Sequence, residues 1–225
     1  MTQNGLPGLT PARAVALAGT WDDGGLWEDV LWLAQRCWQA DEATPLPVRW
    51  HHLVLAVGNF KRQTGRRLRP GRLSDSTNSR TASAEQFVLP CGSAIHRDSQ
   101  ESWRQLEAAL PGAALATTTT LLSALWPDDH FVFDWRVEAA ANGLRIHAGL
   151  PATRWAESEM EGRKRTTSDF SDYATVRSWL REIDCPLNSL ERALYRLSQK
   201  VPSVKGRSWP DYASAVANVL QRCDE

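Results

Sequence analysis

Residues 110–137 read LPGAALATTTTLLSALWPDDHFVFDWRV. A helix arriving at Leu110 ends at Pro111-Gly112, since proline cannot continue a helix and glycine relieves the turn after it. A tight hairpin follows, and a second helix runs through ALATTTTLLSALW until Trp126-Pro127-Asp128-Asp129 stops it. The chain then runs extended through HFVF and turns helical after Asp134, with Gly143 as a stop signal. Glycine at the hairpin lets the backbone approach a ligand closely, and the N–H groups opening the next helix suit an anion such as a phosphate. The run Thr117 to Thr120 is a poor helix interior by propensity. Either some of its hydroxyls reach a phosphate, or they bond back onto helix carbonyls.

Working outward, the periodicity predicts helices on both sides. Residues 26–39 place Leu26, Val30, Leu33 and Cys37 at helical spacing, with Trp27, Leu31 and Trp38 beside them and Asp22 or Asp23 as a cap. Residues 47–63 open on a proline and carry Trp50, Leu53, Val54, Val57 and Phe60 on one face. EQFVLP reads as a short strand. Ser99 caps SQESWRQLEAAL, with Glu101 in its first turn. Residues 152–168 read as part helix, part loop. Ser171 or Asp172 caps YATVRSWLREI. Residues 187–200 form a strong helix with Leu190, Leu194 and Leu197 on one face, and WPDYASAVANVLQRC closes the chain. The expected fold class is all-α.

Composition narrows the rest. The chain has 225 residues, 42% of them hydrophobic, with 26 Lys plus Arg against 26 Asp plus Glu. A formal net charge of zero gives no bulk attraction to nucleic acid, so any basic face is offset elsewhere. The densest basic stretch is KRQTGRRLRPGR, residues 61–72, which includes Arg66, Arg67 and Arg69. With the Ser/Thr-rich segment after it, it reads as a loop insertion over 61–86, either a solvated connector or an arm that neutralises phosphates. No apolar run is long enough to span a bilayer, and the N-terminus lacks the pattern of a secretory signal. The four cysteines (Cys37, Cys91, Cys185, Cys223) are 54, 94 and 38 positions apart, without a CxxC, and the five histidines show no metal spacing. A reduced, cytoplasmic protein without cofactor or metal is expected.

Eleven tryptophans are several times ordinary usage. They pack a core, or they offer flat faces to bases. Trp27 and Trp32 read as core. Trp103, Trp126, Trp135, Trp155, Trp179 and Trp209 are candidate walls of a base pocket, with Trp126, Trp135 and Trp209 foremost.

The hairpin and its acid resemble the helix-hairpin-helix DNA glycosylase superfamily, which includes endonuclease III, the adenine glycosylase and 8-oxoguanine glycosylase. The family pattern L-P-G-(V/I)-G-x-(K/x)-(T/S)-A falls on Leu110, Pro111, Gly112, Ala113, Ala114, Leu115, Ala116 and Thr117. Asp134 lies 24 residues after Leu110 and 18 after Ala116, and Phe133-Asp134-Trp135-Arg136-Val137 stands where that family carries its acid. LLSALWPDDHFVFDWRV is also similar to the wording of bacterial proteins described as having the 8-oxoguanine-glycosylase fold. LERALYRL and WPDYASAVANVL look like the closing helices of such proteins.

The resemblance implies one compact two-lobe helical unit over residues 1–225. One lobe would comprise about 20–100 plus the C-terminal helices, the other, carrying the hairpin, about 99–150, with the cleft between them. Asp134 would be the catalytic carboxylate. Pro111, Gly112, Ala113, Ala114, Thr117, Thr118 and Arg136 would bind double-stranded DNA, with Arg66, Arg67 and Arg69 as further contacts; for Arg136, pairing with an acid is the equal alternative to reaching a phosphate. Apart from the resemblance, His130 is close to Asp134 in sequence and is a minor candidate to help it, against the reading that it plays no part. Ala116 stands where bifunctional members carry the Schiff-base lysine, and alanine cannot form an imine with the sugar. The implied enzyme is a monomeric, monofunctional N-glycosylase that excises a damaged or modified base. Such folds also occur in phage-defence proteins that act on modified phage bases. Two other readings stay open: a catalytically inactive DNA-binding module, favoured by Ala114 and Ala116, and a helical protein that binds a protein partner.

Overall fold

A computed structural model describes residues 5–19, 27, 30–34, 45–60, 86–89, 92–110, 114–162, 168–201 and 208–222. The fold is mainly helical, as expected. In chain order the elements are α1 (Pro11–Ala18), α2 (Leu46–Phe60), β1 (Gln86–Val88), β2 (Ala94–His96), α3 (Gln100–Ala108), α4 (Leu115–Leu125), α5 (Trp135–His147), α6 (Arg154–Met160), α7 (Phe170–Arg181), α8 (Leu187–Lys200) and α9 (Trp209–Gln221). Residues 30–34 are also helical, within the stretch 26–39 expected to be so. Asp22 and Asp23 lie outside the described residues.

The chain divides into two compact units. One combines Met1–Trp21 with Phe133–Glu225, and the other is Asp22–Val132. This grouping differs from the lobe limits expected from sequence: the segment 20–100 goes with the hairpin rather than with the C-terminal helices. The reason is local packing. α2 and α3 both pack on α4, while the C-terminal helices pack with α5 and with α1.

In the unit Asp22–Val132, α2 buries Trp50, Leu53, Val54 and Val57, the face anticipated for it. β1 and β2 pair antiparallel with Phe87 opposite Ile95. Their turn uses Gly92 at φ 87°, a left-handed conformation that suits glycine. Ser99 caps α3 by accepting from the Ser102 amide. α4 is buried from Thr117 to Leu125.

In the other unit, α5 packs on α8 and α9. Four of its buried residues are small: Ala139, Ala140, Ala141 and Gly143 allow close approach of a neighbouring helix. Gly143 does not stop this helix. A Cβ there would meet Val216 Cγ2 at 3.0 Å, so the glycine serves contact with α9. The helix runs on to His147 and turns at Gly149, φ 68°. The cap of α7 is Asp169, two residues before Ser171 and three before Asp172. Its Oδ1 accepts from the Ser171 amide at 2.7 Å and the Asp172 amide at 3.2 Å, and Asp172 Oδ2 accepts in return from the Asp169 amide. This reciprocal box satisfies helix-start donors that Ser171 would leave open. α8 buries Leu187, Leu190, Ala193, Leu194 and Leu197 in one stripe. Ser208 caps α9 through the Asp211 amide. α1 starts after its cap Thr10 with Pro11, buries Ala14 and Leu17, and packs on α8.

No helix among the described residues is long and apolar enough to cross a membrane.

Candidate active site

Three buried residues outside any helix or strand, Phe131, Val132 and Phe133, lead to Asp134. Asp134 is itself extended, at φ −126° and ψ 171°, and α5 begins at the next residue. Asp134 Oδ1 accepts from the Arg136 amide at 2.9 Å and the Val137 amide at 3.1 Å. Asp134 is therefore the helix cap, a role compatible with chemistry at its other oxygen. Oδ2 faces Arg136 Nη1 at 3.9 Å. The Asp134 side chain is 19% exposed and that of Arg136 41%. At that exposure and distance the ion pair adds little to stability. Its consequence is local: a carboxylate with one oxygen pinned by two amides and the other facing a cation.

Arg136 is held by rings as well as by charge. Its guanidinium lies 4.8 Å from the Trp135 ring centroid and 5.6 Å from that of Tyr195 on α8. Trp135 is 39% exposed. Trp135, Arg136 and Asp134 thus share the start of α5, with an aromatic face, a cation and a carboxylate in succession. Tyr195 was not legible as a neighbour, because α8 is far away in sequence.

The other two foremost pocket candidates are core residues. Trp126 is buried and its ring packs against His130 at 5.8 Å. Trp209 is buried edge-on to Trp155 and Tyr212, and its indole N–H donates to Glu159 Oε2 at 3.2 Å. Trp103 and Trp155 are buried too, and the Trp179 ring carries the Arg145 guanidinium at 4.3 Å. Trp27 is core as expected, but Trp32 is 54% exposed, which contradicts its assignment to the core. It falls on the outer side of its helix, two positions from Val30, which is buried.

Of the hairpin, Pro111, Gly112 and Ala113 lie outside the described residues, as do Arg66, Arg67 and Arg69. Ala114 is exposed and precedes α4 without a side-chain cap. Thr117 and Thr118 are fully buried. Thr118 Oγ1 donates to the Ala114 carbonyl at 3.4 Å, and Thr119 and Thr120 donate to that of Ala116 at 3.2 and 2.7 Å. Of the two readings of the threonine run, back-bonding is the one these hydroxyls adopt. His130 is fully buried, with Nε2 donating to the Arg97 carbonyl at 2.9 Å. Asp129 pairs with Arg97 at 3.0 Å.

One group escaped the sequence reading. Glu138, a turn after Asp134 on α5, is completely buried. Its Oε1 accepts from Thr153 Oγ1 at 2.7 Å and its Oε2 accepts from Ser168 Oγ. Asn142 joins them, donating to Thr153 Oγ1 at 2.9 Å and accepting from the Thr153 amide at 2.8 Å. The available signal was a Glu and an Asn four apart in an otherwise apolar helix, VEAAANGL, where burial demands partners.

Among the described residues, no group of three or more His, Cys, Asp or Glu is placed to hold a metal ion. Comparison with protein-family models, with curated proteins and with solved structures finds no match to this chain.

Proposed function

We propose that the chain is a monofunctional DNA N-glycosylase, acting on a damaged or chemically modified base in double-stranded DNA. The observation that carries the proposal is the Asp134 carboxylate, pinned through Oδ1 at a helix start, on a side chain that is 19% exposed and has Oδ2 facing Arg136. The helix-hairpin-helix resemblance of residues 110–137 supplies the chemistry that such a carboxylate would serve. As the N-glycosidic bond breaks, its electron pair leaves with the base and positive charge grows on the sugar. A fixed carboxylate stabilises that charge without reorganising, and accepts a proton from the water that attacks C1′. Arg136 offers its guanidinium to a phosphate of the same strand. The nucleotide must first leave the stack, and Trp135 offers it a flat face. Ala116 offers no amine, so the product is an abasic site on an intact strand. A base modified by a phage, excised in antiviral defence, is one substrate class for this chemistry.

The second reading is an inactive DNA-binding module. It is favoured by Asp134 Oδ1 serving as a cap, which accounts for the aspartate without chemistry. Duplexes carrying 8-oxoguanine, uracil, alkylated bases, or hydroxymethylated and glucosylated cytosine separate the two. The expected outcome is strand breakage at one modified position after hot alkali. Breaks without alkali would refute the monofunctional assignment. Salt-sensitive binding with no break on any duplex would favour the binding module.

A further inference from the structure

We infer that Glu138 is a positioning residue for Asp134, acting as the buried anchor that fixes the first turn of α5. Three structural starts meet at this one carboxylate. Glu138 itself lies in the first turn of α5, Thr153 precedes α6, and Ser168 precedes Asp169, the cap of α7. A buried carboxylate is costly unless hydrogen-bonded, and both of its oxygens are satisfied by hydroxyl donors from outside α5.

Thr153 is the more telling partner. It stands at the N-cap of α6 yet makes no side-chain capping bond. Its hydroxyl instead accepts from Asn142 and donates to Glu138. A threonine placed to cap usually does so. Here the hydroxyl completes a chain from Asn142 through Thr153 to Glu138, along the same side of α5. That chain prevents α5 from rotating or sliding against the segment that begins α6. The amides that pin Asp134 Oδ1, those of Arg136 and Val137, immediately precede Glu138 in the same turn. Any shift of that turn moves the carboxylate.

The catalytic side of this inference rests on the glycosylase reading, but its structural side does not, and the experiment keeps them apart. Hydrogen exchange is measured at the Arg136 and Val137 amides, with the Leu194 and Leu197 amides of α8 as the reference for overall stability. Glu138→Leu keeps a side chain of similar size, makes it apolar and removes both acceptors. The expected result is exchange at least about tenfold faster at Arg136 and Val137 relative to the α8 amides. Glu138→Gln, which retains an acceptor and lets the hydroxyls reorient, should stay within about twofold of the parent. Thr153→Val removes one donor at constant volume. It should accelerate the same two amides to a smaller extent, and it decides the matter should Glu138→Leu fail to fold. Equal acceleration at all four amides, or none at Arg136 and Val137, would overturn the inference. On any duplex from which the protein releases a base, Glu138→Leu should lower the single-turnover excision rate with DNA affinity unchanged. Absence of excision by the parent protein would count against the glycosylase reading and leave the exchange result standing.

Discussion

At Asp134 two demands fall on one side chain. Its Oδ1 holds the start of α5 and its Oδ2 carries the proposed chemistry, and the two are separable by substitution. Asparagine caps helices about as well as aspartate, whereas alanine costs about 1 kcal/mol. Asp134→Asn should therefore unfold in urea within about 0.5 kcal/mol of the parent, and Asp134→Ala about 1 kcal/mol below it. If asparagine costs as much as alanine, the carboxylate is held by its charge beside Arg136 and the cap is secondary. Asp134 was legible in the sequence as an acid among apolar residues just before a helix. The partners of Arg136 and Glu138 were not. Tyr195, Thr153 and Ser168 come from other elements, and only folding brings them in. The threonine run shows the converse limit. Its composition signalled polar groups in need of partners, but could not say whether these were phosphate oxygens or the carbonyls of Ala114 and Ala116.

Among the elements, α5 matters most, because it sets both Asp134 and Glu138. Its small residues admit α9, and Gly143 is the closest point. A Cβ at 143 would lie 3.0 Å from Val216 Cγ2 and 3.4 Å from Tyr212 Cε1. Both are buried, and Val216 is stiff about its χ1. Gly143→Ala gains about 0.5–1 kcal/mol of helix propensity, but overpacking of this kind costs about 1–3 kcal/mol. A net loss of stability is expected by urea or thermal unfolding. Val216→Ala should reverse part of it in the double variant, as a cycle measures for residues in contact. A stabilised Gly143→Ala would show that α9 can retreat freely. The periodicity located α8 residue for residue, because its apolar stripe is regular and its flanks are polar. It misjudged the end of α5, because a glycine chosen for close packing looks the same in sequence as one that ends a helix.

For the molecule as a whole, the helical class followed from pattern alone. The grouping of Met1–Trp21 with the C-terminal half did not, since no local signal tells α1 to pack on α8. Global stability should also carry a high-pH signature. Burial on α9 pushes the Tyr212 hydroxyl up to about 12. The unfolded chain releases this proton near the ordinary value of 10 while the folded chain keeps it. Stability should thus fall as pH rises from about 10 to about 12, by up to about 3 kcal/mol from this group. Tyr212→Phe should flatten that decline in urea titrations, and an unchanged slope would place the loss elsewhere. The central claim concerns chemistry, and the most direct measurement is single-turnover base release from a modified-base duplex by the parent protein and by Asp134→Asn. The parent should release the free base and leave an intact strand with an abasic site. Asp134→Asn, folded and still binding DNA, should be slower by about 100-fold or more. Equal rates for the two proteins, or no base released by the parent from any modified duplex, would contradict the assignment of Asp134 as a catalytic carboxylate.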